Sequence, residues 1–545
     1  MSSDERLATE AGLEILRSGG NATDAAVAVA LALAVVGPEA GNLGGGGFAV
    51  TRYPGTAREG ISNVRFLDFR EVAPAAAHRD MYLGADGKPD RDKSWNGPLA
   101  AGVPGSPTGL YELHRAQGAL EWPQVVAPAI RLAEDGFPIS RRTHDSLVED
   151  QARLARFPET TAVWFDGDRP KTPGTVVKLP RLASTLRRYA ELGPRALVIG
   201  EVAKSIVEIS EKYGGILSLQ DLESYLPTWR EPVRYKAFGW QLAGADLPSS
   251  GAILMASSLW MMDRGGLPST EPSSADRTHL MAEAWRRAFA DRFLLGDPTT
   301  TGATASDLTE PAWLTDRWGS FDRQTATDSA TVRLWSRVTR DAGAESADTT
   351  QISVIDKDGN AVSVTTTLNG LFGGALWVPG FGFLNNEMDD FAAAVQEPNE
   401  YGLVQGEANV VRPGKKMLSS MSPTVAWKST DAGEEILVLG GRGGSRIPTG
   451  TMQVFVALAV DDAGLQQALD RPRVHHQWLP DAVYYEPDAL SPETRAELER
   501  RGHRVDIKES IAQIQAVRMR ADGSYEAAGD PRKGGGHGGV VDPIR

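Results

Sequence analysis

Hydrophobic positions in the first third of the chain recur with a helical period and are interrupted by glycines. Residues 8–20 read ATEAGLEILRSGG, an amphipathic pattern that ends at a Gly-Gly pair, and Asn21 or Thr23 can cap the helix that follows. That helix carries the most apolar run of the chain, AAVAVALALAVV at residues 25–36. This run is shorter than the roughly 20 residues that a membrane-spanning helix needs, so it predicts a buried helix.

Strand patterns occur both before and after a long helical region. The glycine-rich stretch GNLGGGGFAVTRY at residues 41–53 leads into a strand, and RFLDFREVAP at 65–74 predicts another that places Arg70 and Glu71 at its end. After residue 349 the strand patterns are QISVID, AVSVTTT, PTVAW and EILVLGG, followed by the helical pattern TGTMQVFVALAVDDAG. Helices, then strands, then helices favour a layered α/β sandwich over a relay of βαβ units.

Two segments around residue 349 differ in character. Residues 336–348, SRVTRDAGAESAD, have no sustained apolar period and predict an exposed linker. The next stretch, TTQISVIDKDGNAVSVTTTLN, predicts a hairpin in which DKDGN forms the turn. Threonine is a good strand residue, so the simplest interpretation is that these threonines only furnish a pleated surface.

Composition excludes several classes of function. A formal net charge of -14 and a pI near 5.2 leave no basic surplus for binding nucleic acid. The absence of cysteine excludes disulfides, thiolate zinc sites and a cysteine nucleophile. No signal peptide is visible in the chain as given, so localisation stays open: cytoplasmic on its face, periplasmic or secreted if a leader has been lost. The 545 residues alone favour three or four domains.

Most common catalytic motifs are also missing. The glycine-rich stretch precedes a strand rather than a helix and has neither P-loop nor dinucleotide spacing, and no HExxH or GxSxG motif occurs. The adjacent pair His475 and His476 cannot bring both rings to one metal from a regular helix or strand, which indicates a structural role. The sequence GGSRI at residues 443–447 resembles half a nucleophile elbow, but Ile447 replaces the second glycine.

A threonine is therefore the remaining candidate nucleophile. Its hydroxyl needs a base, and one known solution is the α-amine of an N-terminal threonine, with a pKa of roughly 7.7 to 8. Such a threonine must begin a chain. We therefore expect a self-cleavage between Asp348 and Thr349, in which the Thr349 hydroxyl attacks the preceding carbonyl.

Several long blocks of the chain resemble the γ-glutamyltranspeptidases, also called glutathione hydrolases. The blocks, in the order of that family, are GGNATDAAVA, LDFREVAP, APAIRLAEDGFP, TTQISVIDKDGNAVSVTTTLN, LNNEMDDF, KKMLSSMSPT, GGSRI and HHQWLP. The resemblance implies an N-terminal-nucleophile hydrolase with a four-layer αββα sandwich. It also implies a precursor that cleaves itself into a large subunit, residues 1–348, and a small subunit, residues 349–545, which form one intertwined catalytic domain and a heterodimer.

The resemblance also implies roles for individual residues. Thr349 is the nucleophile, Thr367 supports it, and the backbone N–H groups of Gly443 and Gly444 stabilise the oxyanion. The γ-glutamyl α-carboxylate is expected at Arg70, Ser419 and Ser420, and the α-ammonium at Asn369, Glu387 and Asp390. Tyr401 is expected in a lid loop over the site. No metal or organic cofactor is implied. The expected partners are γ-glutamyl compounds such as glutathione, with water or an amino acid as acceptor.

Two residues depart from the family pattern and keep alternatives open. Gln351 stands where a histidine is expected two residues after the nucleophile, and Arg442 stands where a smaller residue is common. Because Arg442 lies beside the oxyanion glycines, the exact substrate stays open. One alternative is an acylase of the same fold that acts on glutaryl-type β-lactam side chains, which lack the α-ammonium. Another is an unprocessed γ-glutamyl-binding protein without activity.

Overall fold

A computed structural model describes residues 1–56, 63–332, 348–395 and 403–541. Within these ranges the helices are α1 (Arg6–Arg17), α2 (Ala22–Val36), α3 (Arg91–Trp95), α4 (Ser106–Gln117), α5 (Trp122–Asp135), α6 (Arg141–Glu149), α7 (Gln151–Leu154), α8 (Pro158–Trp164), α9 (Pro180–Leu192), α10 (Arg195–Val198), α11 (Glu201–Lys212), α12 (Leu219–Ser224), α13 (Gly251–Arg264), α14 (Ala275–Arg292), α15 (Ala305–Thr309), α16 (Pro311–Trp318), α17 (Ile447–Ala459), α18 (Leu465–Asp470) and α19 (Pro492–Arg500). The strands are β1 (Ser2–Ser3), β2 (Gly46–Arg52), β3 (Val64–Phe69), β4 (Phe137–Pro138), β5 (Phe165–Asp166), β6 (Arg169–Pro170), β7 (Val176–Val177), β8 (Thr228–Arg230), β9 (Val233–Ala237), β10 (Trp240–Gly244), β11 (Asp348–Ile355), β12 (Ala361–Asn369), β13 (Trp377–Val378), β14 (Gly382–Phe383), β15 (Thr424–Thr430), β16 (Gly433–Arg442), β17 (Val474–His475), β18 (Val483–Tyr485), β19 (Val505–Ile507), β20 (Gln513–Met519), β21 (Tyr525–Ala528) and β22 (His537–Gly538).

Two large sheets form the centre of the molecule. The first is seven-stranded, in the order β22-β1-β11-β12-β2-β3-β8, and the second is six-stranded, in the order β21-β20-β16-β15-β10-β9. Every paired neighbour in these two sheets is antiparallel. Both sheets combine strands from before residue 348 with strands from after it. A chain cut at that point would therefore remain held together by sheet hydrogen bonds.

The two sheets pack face to face, and helices cover their outer faces. Alternate residues of β2 show the arrangement: Phe48 and Val50 join a core cluster with Val425 and Val438 of the other sheet. Ala49, between them, packs in the cluster that contains α1, α2, α5 and α9. The outer face of the second sheet packs in the same way against α13, α14 and α17. The layers are therefore αββα, and the resemblance predicted this architecture correctly.

The Ala-rich run forms α2, and every residue of this helix is buried. Of the two caps that the sequence allows, Asn21 is the one used: its side chain accepts from Thr23 N and Asp24 N, and Asp24 closes a capping box. The hairpin turn adds a further contact, because Asp356 Oδ2 accepts from Ala22 N at 2.9 Å. No helix among the described residues combines the length and apolar character needed to cross a membrane.

The turn between β11 and β12 is the predicted DKDGN turn. Asp356 Oδ1 accepts from the backbone N of Asp358 at 2.9 Å and of Asn360 at 3.1 Å. Gly359 has a φ of +74°, a conformation that glycine adopts without a steric penalty. The turn places Gln351 opposite Thr365 and Ser353 opposite Ser363.

Gln351, the first departure from the family pattern, lies between the two sheets with none of its surface exposed. Its Nε2 donates to Ser363 Oγ at 2.9 Å, and its Oε1 accepts from Thr365 Oγ1 at 2.5 Å. Gly440 of β16 faces it across the interlayer space, where an added Cβ would lie 2.3 Å from Gln351 Oε1. The glutamine therefore fills a polar niche that requires a glycine on the facing sheet.

This packing predicts that Gly440→Ala lowers the free energy of unfolding by about 1–3 kcal/mol, because the methyl group overpacks a niche whose occupant is held by hydrogen bonds. The double variant Gly440→Ala/Gln351→Ala should lose less stability than the sum of the two single changes. Denaturant unfolding measures both quantities. Gly464→Ala is the control, since its Cβ would meet no atom within 4 Å and its φ is -65°. Fully additive losses in the double variant would contradict the proposed overlap.

Candidate active site

The site lies at the end of the sandwich where β11 begins and β12 ends. Thr349 is the second residue of β11 and stands directly opposite Thr367 of β12, with a β-bulge between Asp348 and Thr349. Side chains alternate along a strand, so Thr349 shares the inter-sheet face with Gln351, whereas Thr350 points to the other face. Strand β11 begins at Asp348, one residue before the strand start predicted at Thr349. The rest of the predicted linker lies outside the described residues.

A small cavity joins Thr349 to most of the other predicted site residues. Its volume is about 20 Å³, little more than the space of one water molecule. The residues that line it are Arg70, Arg292, Thr349, Thr367, Asn369, Glu387, Asp390, Leu403, Ser419, Ser420, Met421, Gly444, Ser445 and Ile447. Of the predicted residues, Gly443 is not among the described residues that line the cavity, and Tyr401 lies outside the described residues.

The glycine-rich stretch before β2 supports the strand that carries Thr367. A Cβ on Gly45 would lie 2.0 Å from the carbonyl oxygen of Thr367, so only glycine allows this approach. Asn42 Nδ2 donates to the same carbonyl at 3.0 Å. The Thr367 hydroxyl accepts from Asn369 N at 2.7 Å, and Asn369 itself has a φ of +75°, a region that asparagine tolerates better than most residues. The glycine-rich stretch therefore packs against the hairpin of β11 and β12.

Arg70 is fully buried at the end of β3 and is surrounded by carboxyl groups. Its Nη1 lies 2.7 Å from Glu387 Oε2 and 3.6 Å from Glu71 Oε2, and its Nη2 lies 2.5 Å from Asp390 Oδ2. The backbone of Arg70 is fixed as well, because its N donates to Asp68 Oδ1 at 3.1 Å and its carbonyl accepts from Tyr225 Oη at 2.7 Å. Arg70, which is predicted to bind the α-carboxylate of the substrate, is thus paired with Glu387 and Asp390, which are predicted to bind its α-ammonium.

The pKa values of this cluster depart from their ordinary ranges because its members are buried together. Burial raises the pKa of Glu387 well above its usual range and also raises that of Asp390, in both cases against the attraction of Arg70. Burial raises the pKa of Glu71 to about 7. Although burial opposes it, attraction to Glu387, Glu71 and Asp390 holds the pKa of Arg70 above its ordinary value.

Arg292, the last residue of α14, is a second buried guanidinium in this site that the sequence analysis missed. Its Nε donates to Ser250 Oγ at 3.1 Å, and Ser250 Oγ donates to the carbonyl of Ser419 at 2.7 Å. Burial lowers the pKa of Arg292 to about 10, while Asp390 attracts its charge. Three carboxyl groups therefore share two guanidinium groups. The available signal was the presence of charged residues at core positions of α14, where an amphipathic helix would place apolar ones.

The two predicted serines enter the cavity from the segment before β15. Ser419 Oγ accepts from Met421 N at 3.1 Å, and Ser419 N donates to the carbonyl of Pro248 at 2.8 Å. The buried Ser420 Oγ has no hydrogen-bond partner within the part of the chain that the structure describes. Its hydroxyl is therefore available to a ligand in the cavity.

The glycine pair predicted for the oxyanion follows β16. Gly443 has a φ of +129° and Gly444 a φ of +56°, and they lead through a short 3-10 turn at Gly444–Arg446 into α17. These conformations favour glycine. Arg442, the second departure from the family pattern, is buried and its Nε donates to Gln513 Oε1 at 2.6 Å. Arg442 is not among the described residues that line the cavity.

Known proteins resemble this chain over nearly its whole length. A family model described as Gamma-glutamyltranspeptidase matches residues 8–540. A glutathione hydrolase proenzyme of Escherichia coli (strain K12) is 39% identical over 535 residues, covering 98% of this chain and 90% of the relative. A glutathione hydrolase proenzyme of Pseudomonas aeruginosa is 40% identical over 538 residues, covering 97% of this chain and 92% of the relative.

Solved structures agree with the layer architecture. A cephalosporin acylase from Bacillus halodurans superposes with a TM-score of 0.82 at 24% identity, covering 99% of this chain and 95% of that chain. A γ-glutamyltranspeptidase from Helicobacter pylori superposes with a TM-score of 0.58 at 35% identity, covering 61% of this chain and 93% of that chain. At its level of identity, the likeness to the acylase shows the fold alone.

Proposed function

This chain belongs to the γ-glutamyltranspeptidase family, and from that premise we propose how its own residues carry out the reaction. It is an enzyme, a γ-glutamyl hydrolase/transferase with the N-terminal-nucleophile fold, made as a proenzyme. Its donors are glutathione and related γ-glutamyl amides, and its acceptors are water or an amino-acid amine. The observation that carries the assignment is the meeting of Thr349, Thr367 and the Arg70 cluster at one cavity.

Processing precedes turnover, since Thr349 is still an internal residue in the uncut chain. The Thr349 hydroxyl attacks the carbonyl carbon of Asp348, the amide bond breaks, and an ester forms between these two residues. Water then hydrolyses the ester, which leaves a carboxylate on Asp348 and a free α-amine on Thr349. The products are the large subunit, residues 1–348, and the small subunit, residues 349–545, whose strands share both sheets.

Turnover uses the new amine as the base. The amine takes the proton of the Thr349 hydroxyl while the oxygen attacks the γ-carbonyl of the donor, and the leaving amine departs with that proton. Thr367, directly opposite Thr349, orients the reacting groups through its hydroxyl. The N–H groups of Gly443 and Gly444 bind the oxyanion, a contribution worth about 100- to 1000-fold in rate per donor. Water or an amine then resolves the γ-glutamyl ester.

Binding of the donor requires an exchange of ion pairs, because Arg70 already holds Glu387 and Asp390. The α-carboxylate of the γ-glutamyl group takes a place beside Arg70, Ser419 and Ser420. Its α-ammonium takes the place of Arg70 as the counter-ion of Glu387 and Asp390, together with Asn369. The cavity of about 20 Å³ must widen for this insertion.

The same charges weigh against a glutaryl donor. A glutaryl group brings a carboxylate to Arg70 but no ammonium, so three buried carboxyl groups would lose part of their compensation. A γ-glutamyl group is a zwitterion and keeps the charge of the cluster unchanged. The carboxyl-rich cluster therefore favours γ-glutamyl over glutaryl amides.

Self-cleavage is tested by N-terminal sequencing of the smaller fragment on a denaturing gel. We expect it to begin at Thr349, and we expect Thr349→Ala to remain one uncut band without turnover. Thr350→Ala is the matched control and should still cleave, because Thr350 faces away from the inter-sheet side. A fragment that begins at another residue, or a wild-type chain that stays uncut after prolonged incubation, would overturn the assignment of the nucleophile.

For the donor site, Arg70→Ala should leave cleavage intact and raise the KM for a γ-glutamyl amide by about 30-fold or more. The reason is that truncating one partner of a buried charge pair costs about 2–5 kcal/mol. Steady-state kinetics on the cleaved protein give the value. Arg131→Ala is the control, since Arg131 forms an exposed pair with Glu14. Equal KM values for wild type and Arg70→Ala would contradict the carboxylate role.

Arg292 should affect the pH dependence of the reaction. Asp390 binds the ammonium as a carboxylate, its pKa is raised by burial, and Arg70 and Arg292 both lower it. Removing Arg292 therefore raises this pKa further, in a cluster where Glu71 and Glu387 also face Asp390.

We expect Arg292→Gln to move the acidic limb of the kcat/KM–pH profile to higher pH, whereas Arg292→Lys should leave it close to that of wild type. The profile is measured on the cleaved protein with a γ-glutamyl amide. An acidic limb at the same pH in Arg292→Gln and wild type would show that Arg292 does not govern the ionisation of Asp390.

A further inference from the structure

The HHQWLP block contains two histidines to which the mechanism above assigns no role. Both His475 and His476 are completely buried, but their rings have different partners. His476 Nε2 lies 3.2 Å from Asp481 Oδ1, and its Nδ1 accepts from Trp478 N at 3.1 Å. His475 instead lies between Thr449 of α17 and Gln477. Only His475 is therefore connected to the turn that follows the oxyanion glycines.

A continuous hydrogen-bond chain joins His475 to that turn. Thr449 Oγ1 lies 2.8 Å from His475 Nδ1, His475 Nε2 lies 2.9 Å from Gln477 Oε1, and Ser445 Oγ donates to Gln477 Oε1 at 2.6 Å. Thr449 Oγ1 also lies 3.0 Å from the carbonyl oxygen of Arg446. The chain thus begins and ends on the two residues that directly follow Gly443 and Gly444.

The direction of each hydrogen bond follows from the partners. Gln477 Nε2 donates to the carbonyl of Leu479 at 3.2 Å, so the amide oxygen faces both Ser445 and His475. His475 must then donate through Nε2, which leaves Nδ1 as an acceptor. The single proton of the Thr449 hydroxyl therefore faces two acceptors, His475 Nδ1 and the carbonyl oxygen of Arg446, in a three-centre hydrogen bond. Burial lowers the pKa of His475 to about 3, so the ring stays neutral at neutral pH.

The turn itself needs such anchoring. Gly443 and Gly444 have positive φ values of 129° and 56° and no side chains, so nothing of their own restricts their orientation. Ser445 is held by its hydroxyl, and Arg446 by its carbonyl. Arg446 also donates from Nε to the carbonyl of Gly443 at 3.3 Å. Oxyanion donors must be oriented before the charge develops, because a misplacement of about 1 Å costs on the order of 100-fold in rate.

We propose that His475 and Gln477, with Ser445 and Thr449, are positioning residues that fix the Gly443–Gly444 turn for oxyanion stabilisation. This inference rests on the oxyanion role given to the two glycines in the proposed function. Of the four residues of this relay, only Ser445 is among the described residues that line the donor cavity, so His475, Gln477 and Thr449 act on the chemical steps and not on donor binding. Both the formation and the breakdown of the γ-glutamyl ester pass through an oxyanion, so both steps depend on the relay.

The test compares two threonines on the same helix. Thr449→Val removes the relay hydroxyl at nearly constant volume, and Thr449→Ser retains it. Thr451→Val is the matched control: Thr451 is equally buried on α17, and its hydroxyl donates to the carbonyl of Ile447 at 2.8 Å, outside the relay. Gln477→Met and Ser445→Ala break the relay at two other positions, so the test does not depend on the folding of one variant.

All rates are expressed per cleaved subunit that begins with Thr349. We expect Thr449→Val, Gln477→Met and Ser445→Ala each to lower kcat for hydrolysis of a γ-glutamyl amide by about 10- to 100-fold. KM should change by less than about twofold in Thr449→Val and Gln477→Met, whose wild-type residues do not line the donor cavity among the described residues. Thr449→Ser should restore kcat to near that of wild type, and Thr451→Val should keep it. Unchanged kcat in the relay variants, or an equal loss in Thr451→Val, would overturn the inference.

Gly444→Ala separates this inference from the oxyanion assignment on which it rests. A large loss of kcat in Gly444→Ala together with unaffected relay variants overturns the relay alone. An unchanged kcat in Gly444→Ala overturns the oxyanion role of the turn, and the relay proposal with it.

Discussion

The antiparallel pairing of β11 with β12 is the constraint on which the rest of the site depends. It sets Thr349 opposite Thr367, and because residues alternate between the faces of a strand, it also sets both threonines toward the second sheet. A slip of one residue would turn Thr349 toward the helices and Thr350 toward the cavity. The register is held at one end by the Asp356 turn and along the strand by Gln351, whose amide is bonded to Thr365 and Ser363. The second departure from the family pattern, Arg442, is by contrast outside the cavity.

Buried charge is the second constraint. The charged side chains of Arg70, Arg292, Glu71, Glu387 and Asp390 meet away from bulk solvent, where separate ions would be strongly destabilising. In the unliganded site the two arginines offset part of the charge of the three carboxyl groups, and burial raises the pKa of each of these carboxyl groups. A zwitterionic ligand can enter such a cluster by exchanging partners, so that no charge is left alone. In the proposed binding mode, the cluster thus favours a ligand that carries both charges.

The order of helices and strands was predictable from the sequence, because hydrophobic period, glycine stops and the DKDGN turn are local signals. The sharing of strands between the two sheets was not, since β1 and β22 are two-residue strands that depend on partners hundreds of residues away. Chain length suggested three or four domains because length alone contains no information on pairing between distant segments. The family resemblance supplied the αββα layers that the periodicity alone left open.

Some site residues are likewise indicated by local sequence motifs, and others are defined only by contacts between distant segments. Thr349, Thr367 and Arg70 could be named from motifs that lie on strand ends, and the structure brings them to one cavity. Arg292 could not, because its role depends on α14 ending beside Ser250 and Asp390, and the charged residues at core positions of α14 do not indicate which of them reaches the site. His475 is an intermediate case. Its motif was visible, but a buried histidine on a strand has the same sequence pattern whether it fills a core or continues a hydrogen-bond chain.

The likeness to the solved acylase structure shows the fold of this chain and not its substrate. A cephalosporin acylase shares nearly the whole architecture at 24% identity, so αββα layers alone do not distinguish one amide substrate from another. For this chain, we propose that the carboxyl groups near Arg70 make the distinction. An acyl chain without an ammonium would leave Glu387 and Asp390 to be neutralised by protons, whereas a γ-glutamyl group supplies the missing cation itself. In the proposed binding mode, substrate choice by this chain is therefore a matter of charge balance at the end of β3, and the sandwich provides only the frame that buries it.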